Sequence, residues 1–242
     1  MIVIVDSRIE VGQAFVNCFE REGVASTALE CNEFPDWFSG LCETDLLAIE
    51  AILLGAADDR PKLLRLIQQR GRMPVIALSD RRTLDETLSL LAAGVDDVVS
   101  KPVHVKEILA RSGTIRARRG DVTSVSEIVG IRLYADGRDP EIAGEALQLP
   151  RRERRILECL ARNRGGWVTK SQIFNQVYGL LNDEIDENVI ESHISRLRKR
   201  LRQRLGRDPV ESQRFMGYRL SVGPHEPSVT VTGRSPAPPS AS

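Results

Sequence analysis

The stretch DENVIESHISRLRKRLRQRL, residues 186–205, has the clearest periodicity in the chain. Apolar residues recur in it at spacings of four, three, four and four. They are Ile190, Ile194, Leu197, Leu201 and Leu205. An α-helix turns by about 100° per residue, so these side chains form one stripe along a helix. The pattern predicts a helix that packs this stripe on a core and exposes a basic face on its other side.

The face away from the apolar stripe presents polar and basic side chains. Along the chain, these residues and their flanking neighbours are Asn188, Val189, Ser192, His193, Arg196, Lys199, Arg200 and Gln203. A helix fits the major groove of DNA, where Asn, Arg and Lys match the hydrogen-bonding pattern of purine edges. The alternatives are a solvated covering helix and a basic helix bound by a calmodulin-type partner.

The sequence after this helix favours DNA binding over those alternatives. A polar turn leads to VESQRFMGYRL, residues 210–220, which predicts two short strands with Arg214 near the tip of their hairpin. A helix for the major groove followed by a basic hairpin is the winged-helix arrangement.

The segment before the helix predicts the rest of a small domain. Residues 128–149 carry short alternating runs with turn signals at Asp136-Gly137 and Ala143-Gly144, which is typical of a small antiparallel sheet. Helical patterns follow at residues 152–163 and 171–177, with Thr169 as the N-cap of the second helix.

Residues 128–222 closely resemble the DNA-binding domain of the OmpR/PhoB subfamily of response regulators. The likeness is carried by LPRRERRILECLARNRGGWVTKSQIFNQVYG, ESHISRLRKRL and the closing Gly-Tyr-Arg-Leu. The resemblance implies base or backbone contacts by Val189, Ser192, His193 and Arg196, a phosphate contact by Arg198, and a wing contact by Arg214. Departures from the family pattern occur at Arg154, Glu187 and Asn188. The DNA sequence that relatives bind therefore cannot be transferred to this chain.

Residues 1–115 alternate short apolar runs with helical patterns. Strands are predicted at 2–5, 25–29, 46–54, 75–78 and 98–99, and helices at 11–22, 62–70, 84–93 and 105–115. This alternation predicts a doubly wound α/β domain with a five-stranded parallel sheet of the flavodoxin-like type. Ligands bind such sheets at the carboxyl ends of the strands. The polar residues predicted there are Asp6, Ser7, Glu50, Ser79 and Lys101, which suit a phosphoryl or metal site.

This half resembles the receiver domain of two-component response regulators. PVIALSD and AGVDDVVSKP carry the likeness, together with the residue types at the strand ends. It implies that Asp6 is one of two acids that hold magnesium, that Ser79 and Lys101 clamp a phosphoryl group, and that Glu50 stands where the phosphoacceptor aspartate is expected. Ser7 replaces the second acid, and Val98 replaces the family's switch aromatic.

These departures predict a receiver that works without phosphorylation. The carboxylate of Glu50 would lie about 1.5 Å too far out for in-line transfer, and magnesium would lose a ligand. We therefore expect no bound metal and no cofactor, with Glu50 acting as a built-in mimic of the activated state. The alternatives are that Glu50 pairs with Lys101 in a non-switching scaffold, that a histidine kinase still phosphorylates the receiver, or that the receiver is a protein-interaction module.

The net charge of zero hides two halves of opposite sign. Residues 1–115 contain 12 Lys and Arg against 18 Asp and Glu, whereas residues 146–222 contain 16 against 9. Seven of the basic residues lie between Arg196 and Arg207. Such a local excess is the electrostatic signature of a surface that binds phosphates.

The predicted organisation is a receiver-like domain at 1–115, a linker at 116–127, a winged-helix domain at 128–222 and a disordered tail at 223–242. No catalytic triad, phosphate-binding loop or membrane span is evident, so an enzyme is the least favoured class and a cytosolic protein is expected. The expected partner is double-stranded DNA. The resemblance to the OmpR/PhoB subfamily also implies a second copy bound through the receiver and a contact with RNA polymerase at the acidic loop 179–187. The alternative for that loop is a solvated connection. The atypical receiver also resembles that of the alphaproteobacterial flagellar transcriptional regulators, which suggests activation of flagellar genes.

Overall fold

The computed structural model describes residues 1–71, 73–81, 83–119, 125–134, 138–181 and 185–221. The predicted tail at 223–242 and the predicted turn at Asp136-Gly137 lie outside the described residues. No helix in the described part of the chain is long and apolar enough to cross a membrane.

The first half of the chain is a five-stranded parallel sheet with helices on both faces, and the sheet order is β2-β1-β3-β4-β5. This confirms the predicted flavodoxin-like class. Its elements are β1 (Ile2–Val5), α1 (Ile9–Arg21), β2 (Ser26–Leu29), α2 (Phe34–Gly40), α3 (Glu43–Ala48), β3 (Ala51–Leu54), α4 (Arg60–Arg70), β4 (Val75–Ser79), α5 (Leu84–Ala93), β5 (Asp97–Ser100) and α6 (Val105–Arg118).

The sheet separates two apolar cores because neighbouring residues of a strand point to opposite faces. Val3 and Val5 of β1 lie in the core beneath α2, α3 and α4. Ile2 and Ile4 lie in the other core, with Phe19 of α1 and residues of α6. Every residue of β1 is buried, which accounts for the continuous apolar run that predicted it.

The segment between β2 and β3 differs from the prediction. Residues 46–54 were expected to form one strand, but Leu46 to Ala48 belong to α3 and only the last four residues form β3. α2 was not predicted, although Phe34 and Phe38 stack at 5.0 Å between ring centroids, one helical turn apart. Short apolar runs are compatible with helix and strand alike, and the pairing of Ile2 with Ala51 fixes where β3 begins.

The second half is a winged helix-turn-helix fold, as predicted. Its elements are β6 (Val125–Ile128), β7 (Ile131–Tyr134), β8 (Glu141–Ile142), β9 (Glu145–Ala146), α7 (Arg151–Arg162), α8 (Lys170–Tyr178), α9 (Val189–Leu205), β10 (Val210–Gln213) and β11 (Gly217–Leu220). Strands β6 to β9 form an antiparallel sheet, and β10 pairs with β11 to form the wing. The three helices pack around one core.

Local signals account for the ends of α8 and α9. Thr169 caps α8 as predicted, and its hydroxyl accepts from the backbone N–H of Gln172 in a complete capping box. α9 ends where Gly206 adopts a positive φ of 71°, a conformation that glycine enters at little cost.

The two halves contact each other directly. Leu180, just after α8, packs against the receiver core, and the amide of Asn175 donates to Asp45 at 3.3 Å. The predicted linker at 116–127 begins inside α6, which continues to Arg118, and it ends inside β6. The guanidinium of Arg116, in this last part of α6, is largely buried and lies 3.7 Å from the carboxylate of Glu50.

Candidate nucleic-acid interface

The outer face of α9 is available for a ligand. Ser192, Ser195, Arg196, Lys199 and Gln203 are all exposed on it. Within the described residues, neither Arg196 nor Lys199 forms a hydrogen bond or an ion pair. Ser195 was not singled out from the sequence, although its helical position lies on the same side. The face therefore offers two unpaired cations between small polar side chains.

The start of α9 is held by the neighbouring helix. The ammonium of Lys170, at the start of α8, lies 2.7 Å from Asn188 Oδ1 and 3.3 Å from Glu191 Oε1. Asn188 is exposed at the N-cap position, whereas Val189 is half-buried and packs on the core. Of the two residues predicted here as DNA contacts, only Asn188 presents a polar group outward.

His193 is a core residue, which corrects its prediction as a DNA contact. The residue is buried, and its Nε2 lies 2.9 Å from the hydroxyl of Tyr178. Burial lowers the pKa of the His193 imidazole, and the charges of Arg196 and Arg152 lower it further. His193 lies on the flank of the apolar stripe, where Tyr178 covers it. Its role is to join α8 to α9.

Arg198 and Arg200 join α9 to other parts of its own domain. Arg198 donates to the carbonyl of Val210 at 3.0 Å, and its side chain is mostly covered. The guanidinium of Arg198, which was predicted to contact a DNA phosphate, is therefore already bonded to the first residue of the wing. Arg200 is more exposed and lies 3.2 Å from the buried carboxylate of Glu153. Burial raises the pKa of the Glu153 carboxyl, and the charge of Arg200 opposes that rise.

The wing stands beside α9 and carries Arg214 at its tip, as predicted. Arg214 stacks over the ring of Phe215, 4.8 Å from its centroid. The base of the wing is fixed by backbone hydrogen bonds between Tyr218 and Val168, each 2.8 Å long. Arg219 stacks over Trp167 at 4.4 Å on the strand that returns from the tip.

Three of the four predicted receiver-site residues meet at the carboxyl edge of the parallel sheet. The ammonium of Lys101 lies 3.4 Å from Asp6 and 3.0 Å from Asp80. Ser79 is buried at the same edge, with its hydroxyl 2.9 Å from Glu86 Oε2. The cis peptide bond between Lys101 and Pro102 follows β5.

A basic residue, Arg8, occupies this edge in addition. Its guanidinium lies 3.1 Å from Asp6 and 2.8 Å from Asp80. Burial raises the pKa of the Asp6 carboxyl, but hydrogen bonds from Arg8 and Ala56 and the charge of Lys101 outweigh it, and the pKa lies below its ordinary value. Two carboxylates thus face two cations, and the site neutralises itself.

The residues at this edge do not fit magnesium, the metal that the receiver fold implies. Both oxygens of Asp6 already accept from Arg8, and one also accepts from the backbone N–H of Ala56. Ser7 adds no carboxylate. Magnesium needs several hard oxygen ligands in near-octahedral geometry, and a guanidinium repels it. In the described ranges, no group of three or more His, Cys, Asp or Glu could hold a metal ion.

Glu50 lies at the opposite edge of the sheet, and this corrects its prediction as the phosphoacceptor counterpart. It precedes β3, so it stands at the amino end of that strand, beside Met1. The residue after the carboxyl end of β3 is Gly55, where an added Cβ atom would overlap the carboxylate of Asp6. Because Gly55 has no side chain, the acceptor position holds no carboxylate. Glu50 is therefore not a mimic of a phosphoryl group and does not pair with Lys101.

Glu50 instead joins the receiver to the winged helix. Its side chain is only 3% exposed, and the guanidinium of Arg155 of α7 donates to both of its carboxylate oxygens, at 2.5 and 3.0 Å. Arg162 of α7 and Arg116 of α6 lie at 3.5 and 3.7 Å from the same carboxylate. Burial raises the pKa of Glu50, but these arginines and the amino group of Met1 outweigh it and hold the pKa well below its usual range. We call this buried group the interdomain clasp.

The clasp was missed in the sequence because its members are far apart in the chain. The available signal is on α7, where Arg155 and Arg162 are spaced by seven residues, two helical turns, with Glu158 between them. Arginines on the inward side of a helix call for a buried acid. Nothing local identifies Glu50 as that acid.

Comparisons with known proteins agree with this architecture. Residues 144–220 match the family described as transcriptional regulatory protein, C terminal. The flagellar transcriptional regulator FtcR of Brucella abortus is 49% identical over 226 residues, which cover 92% of this chain and 100% of that protein. The transcriptional regulatory protein TctD of Salmonella typhimurium is 32% identical over 195 residues, with coverage of 77% and 85%.

Among solved structures, the response regulator DrrB, an OmpR/PhoB homolog from Thermotoga maritima, aligns over 91% of this chain and 98% of its own. The identity is 21% and the TM-score is 0.40. The identity and coverage of the sequence relatives are what define the family. The chain belongs to the FtcR family of flagellar transcriptional regulators.

Proposed function

We propose that the protein binds double-stranded DNA at specific sites and activates the transcription of flagellar genes. The observation that carries this proposal is the outer face of α9, where Arg196 and Lys199 are exposed and unpaired beside Ser192. Arginine donates to guanine edges in the major groove, a lysine beside it neutralises a phosphate, and a serine hydroxyl adapts to either base. The wing would contact the neighbouring backbone or minor groove through Arg214.

In the proposed function, the receiver acts without being phosphorylated. An aspartyl phosphate needs an acceptor carboxylate and a magnesium ion that neutralises the transferred group. Gly55 supplies no acceptor, and Arg8 already balances the charge of Asp6. The interdomain clasp also supports a receiver that acts without phosphorylation. It holds the winged helix to the receiver through Glu50, at the edge of the sheet opposite to Asp6 and Lys101.

We expect acetyl phosphate and magnesium to leave both the mass and the DNA affinity of the intact chain unchanged. Mass spectrometry of the whole protein checks the first, and footprinting of promoter DNA upstream of flagellar genes checks the second. A conventional receiver treated in parallel serves as the positive control. A stoichiometric phosphoryl adduct, or protection of DNA only after treatment, would favour a regulator gated by a histidine kinase instead.

We further propose that two copies associate through the face formed by α5, β5 and α6. Leu84, Leu88 and Leu91 are exposed on α5 at spacings of four and three, which places them on one stripe. Asp97 of β5 and Arg111 of α6, both at this face, form an ion pair within the chain at 2.8 Å. Such exposed pairs contribute little, so the leucines would supply the association energy.

Replacing Leu88 with glutamate should convert the dimer to a monomer in sedimentation equilibrium at micromolar concentration. A charge at the centre of an apolar contact must be buried without a partner, and this is costly. Ile9→Glu, at an exposed isoleucine of α1, is the matched control and should leave association unchanged. Equal association of the wild type and Leu88→Glu would eliminate this face as the dimer contact.

We also propose that the acidic loop 179–187 contacts RNA polymerase. Residues 182–184 lie outside the described residues, while Leu180 of the same loop packs on the receiver core. This packing would hold one end of the loop against the receiver while the rest meets a partner.

A further inference from the structure

The tip of the wing carries two large apolar side chains that the described chain leaves uncovered. Phe215 is 89% exposed and Met216 is 41% exposed. A phenylalanine side chain stabilises a fold by burying its apolar surface, so one left in water contributes almost nothing to folding. The stability of this domain does not explain why the tip is apolar.

The backbone at the tip also argues against a structural role. Phe215 has a φ of +66°, a left-handed conformation that is costly for a bulky side chain. Glycine or asparagine would form the same turn with less strain. A strained and exposed aromatic residue is typical of a binding position, because its benefit comes only when a partner is present.

The base of the wing is fixed to the rest of the domain, and Arg198 of α9 donates to Val210 at its start. Gly217, which follows the tip, packs so closely on the backbone of Val168 that no other residue fits there. The backbone N–H of Tyr218 donates to the carbonyl of Val168, and the backbone N–H of Val168 donates to the carbonyl of Tyr218. Arg214 stacks on Phe215 and brings a positive charge to the same point. The tip is therefore an apolar point beside a cation, on a wing whose base is fixed to the rest of the domain.

We propose that Phe215 and Met216 form a wedge that enters the minor groove beside the major-groove site of α9 and partly unstacks a base step. This inference rests on the proposed function, since it requires that α9 binds duplex DNA. Apolar wedges of this kind open flexible pyrimidine–purine steps and bend the duplex. Arg214 would neutralise the phosphates that the bend brings together. The affinity would thus depend on how easily this base step deforms, although no hydrogen bond to a base specifies the step.

The test uses the full chain and a DNA duplex that carries its footprinted site, with 2-aminopurine placed under the wing and dyes at both ends. Wild-type protein should raise the 2-aminopurine fluorescence and shorten the distance between the ends. Phe215→Ala should abolish both signals and weaken binding about 10-fold. Phe215→Gly should bind equally weakly, although it relieves the positive φ and should melt no lower than Phe215→Ala.

The controls separate this inference from the proposed function. Arg196→Ala should weaken binding while the complexes that form at higher protein concentration still bend the DNA. Unchanged bending and affinity in Phe215→Ala would overturn the wedge and leave DNA binding by α9 intact. A loss of self-association in Phe215→Ala without any change in bending would also overturn it, since the tip would then contact a second copy. If Arg196→Ala bound DNA as the wild type does, the proposed function itself would fail.

Discussion

Glu50→Ala is expected to lower the free energy of unfolding by about 3–5 kcal/mol, the usual cost of removing one partner from a buried ion pair. The substitution leaves Arg155 and Arg162 of α7 facing Arg116 of α6. Glu158 of α7 remains beside them, 3.5 Å from Arg155 and 3.9 Å from Arg162, but one carboxylate does not neutralise three guanidiniums. Part of this positive charge would have to turn toward water or remain buried without compensation. Urea denaturation followed by circular dichroism measures the loss, and domain separation should appear as faster proteolysis between α6 and β6.

Two further variants make this prediction specific to the clasp. Glu107→Ala removes an exposed acid that pairs with Arg111 at 2.7 Å, and it should cost less than about 1 kcal/mol. Adding Arg155→Met to Glu50→Ala should recover part of the stability, because it removes one uncompensated cation. A loss below about 1 kcal/mol for Glu50→Ala would contradict a buried clasp.

The clasp also fixes the sign of a pH dependence. The pKa of Glu50 is lower in the folded chain than in the unfolded chain, where its ordinary value is 4.5. Its stabilisation is therefore complete above that value and is lost as the pH falls below it toward the folded pKa. The acid unfolding of Glu50→Gln, which has no charge to lose, should depend less on pH in this range.

DNA affinity is expected to fall about 40-fold per protomer between about 50 and 200 mM salt, as three phosphate contacts would require. The exposed cations near the DNA would be Arg196, Lys199, Arg200 and Arg214, of which Arg196 would contact a base and the other three would contact phosphates. Each neutralised phosphate releases a counterion, and the slope of log affinity against log salt counts these events. Fluorescence anisotropy with a labelled operator at several salt concentrations measures this slope.

Substitutions divide these cations into two classes. Lys199→Ala should lower the salt slope by about 1 and weaken all DNA sequences alike, as expected for a phosphate contact. Arg196→Ala should cost about 1–3 kcal/mol and relax the preference at one base pair, as expected for a base contact. Arg65→Ala removes the same charge from an exposed position of the receiver and should change neither quantity. A uniform loss across sequences for Arg196→Ala would assign that side chain to a phosphate instead.

The sequence predicts an element well where the deciding signals are local. α9 was predicted from its apolar stripe, and its end at Gly206 and the cap of α8 at Thr169 follow from the residue types themselves. The alternation of buried strands with helices was enough to predict the parallel sheet. These features depend on residues within one or two helical turns of each other.

The failures concern contacts between distant parts of the chain. Glu50 was placed at the wrong edge of the sheet because the start of β3 depends on pairing with β1. The burial of His193 depends on Tyr178 of another helix, and the link from Arg198 to Val210 depends on the wing. Periodicity identifies the side of a helix on which a residue lies, but not what covers that side.

Gly55 has a consequence for the timing of the response. Under the proposed function, a receiver without an acceptor carboxylate would carry no aspartyl phosphate, so no phosphatase would turn it off and no foreign kinase would turn it on. Under the proposed function, the number of active molecules equals the number synthesised minus those degraded or diluted. The signal would then act on the promoter of the gene that encodes this chain. The transcription of each target gene would follow the concentration of the protein, which changes on the slow timescale of protein turnover.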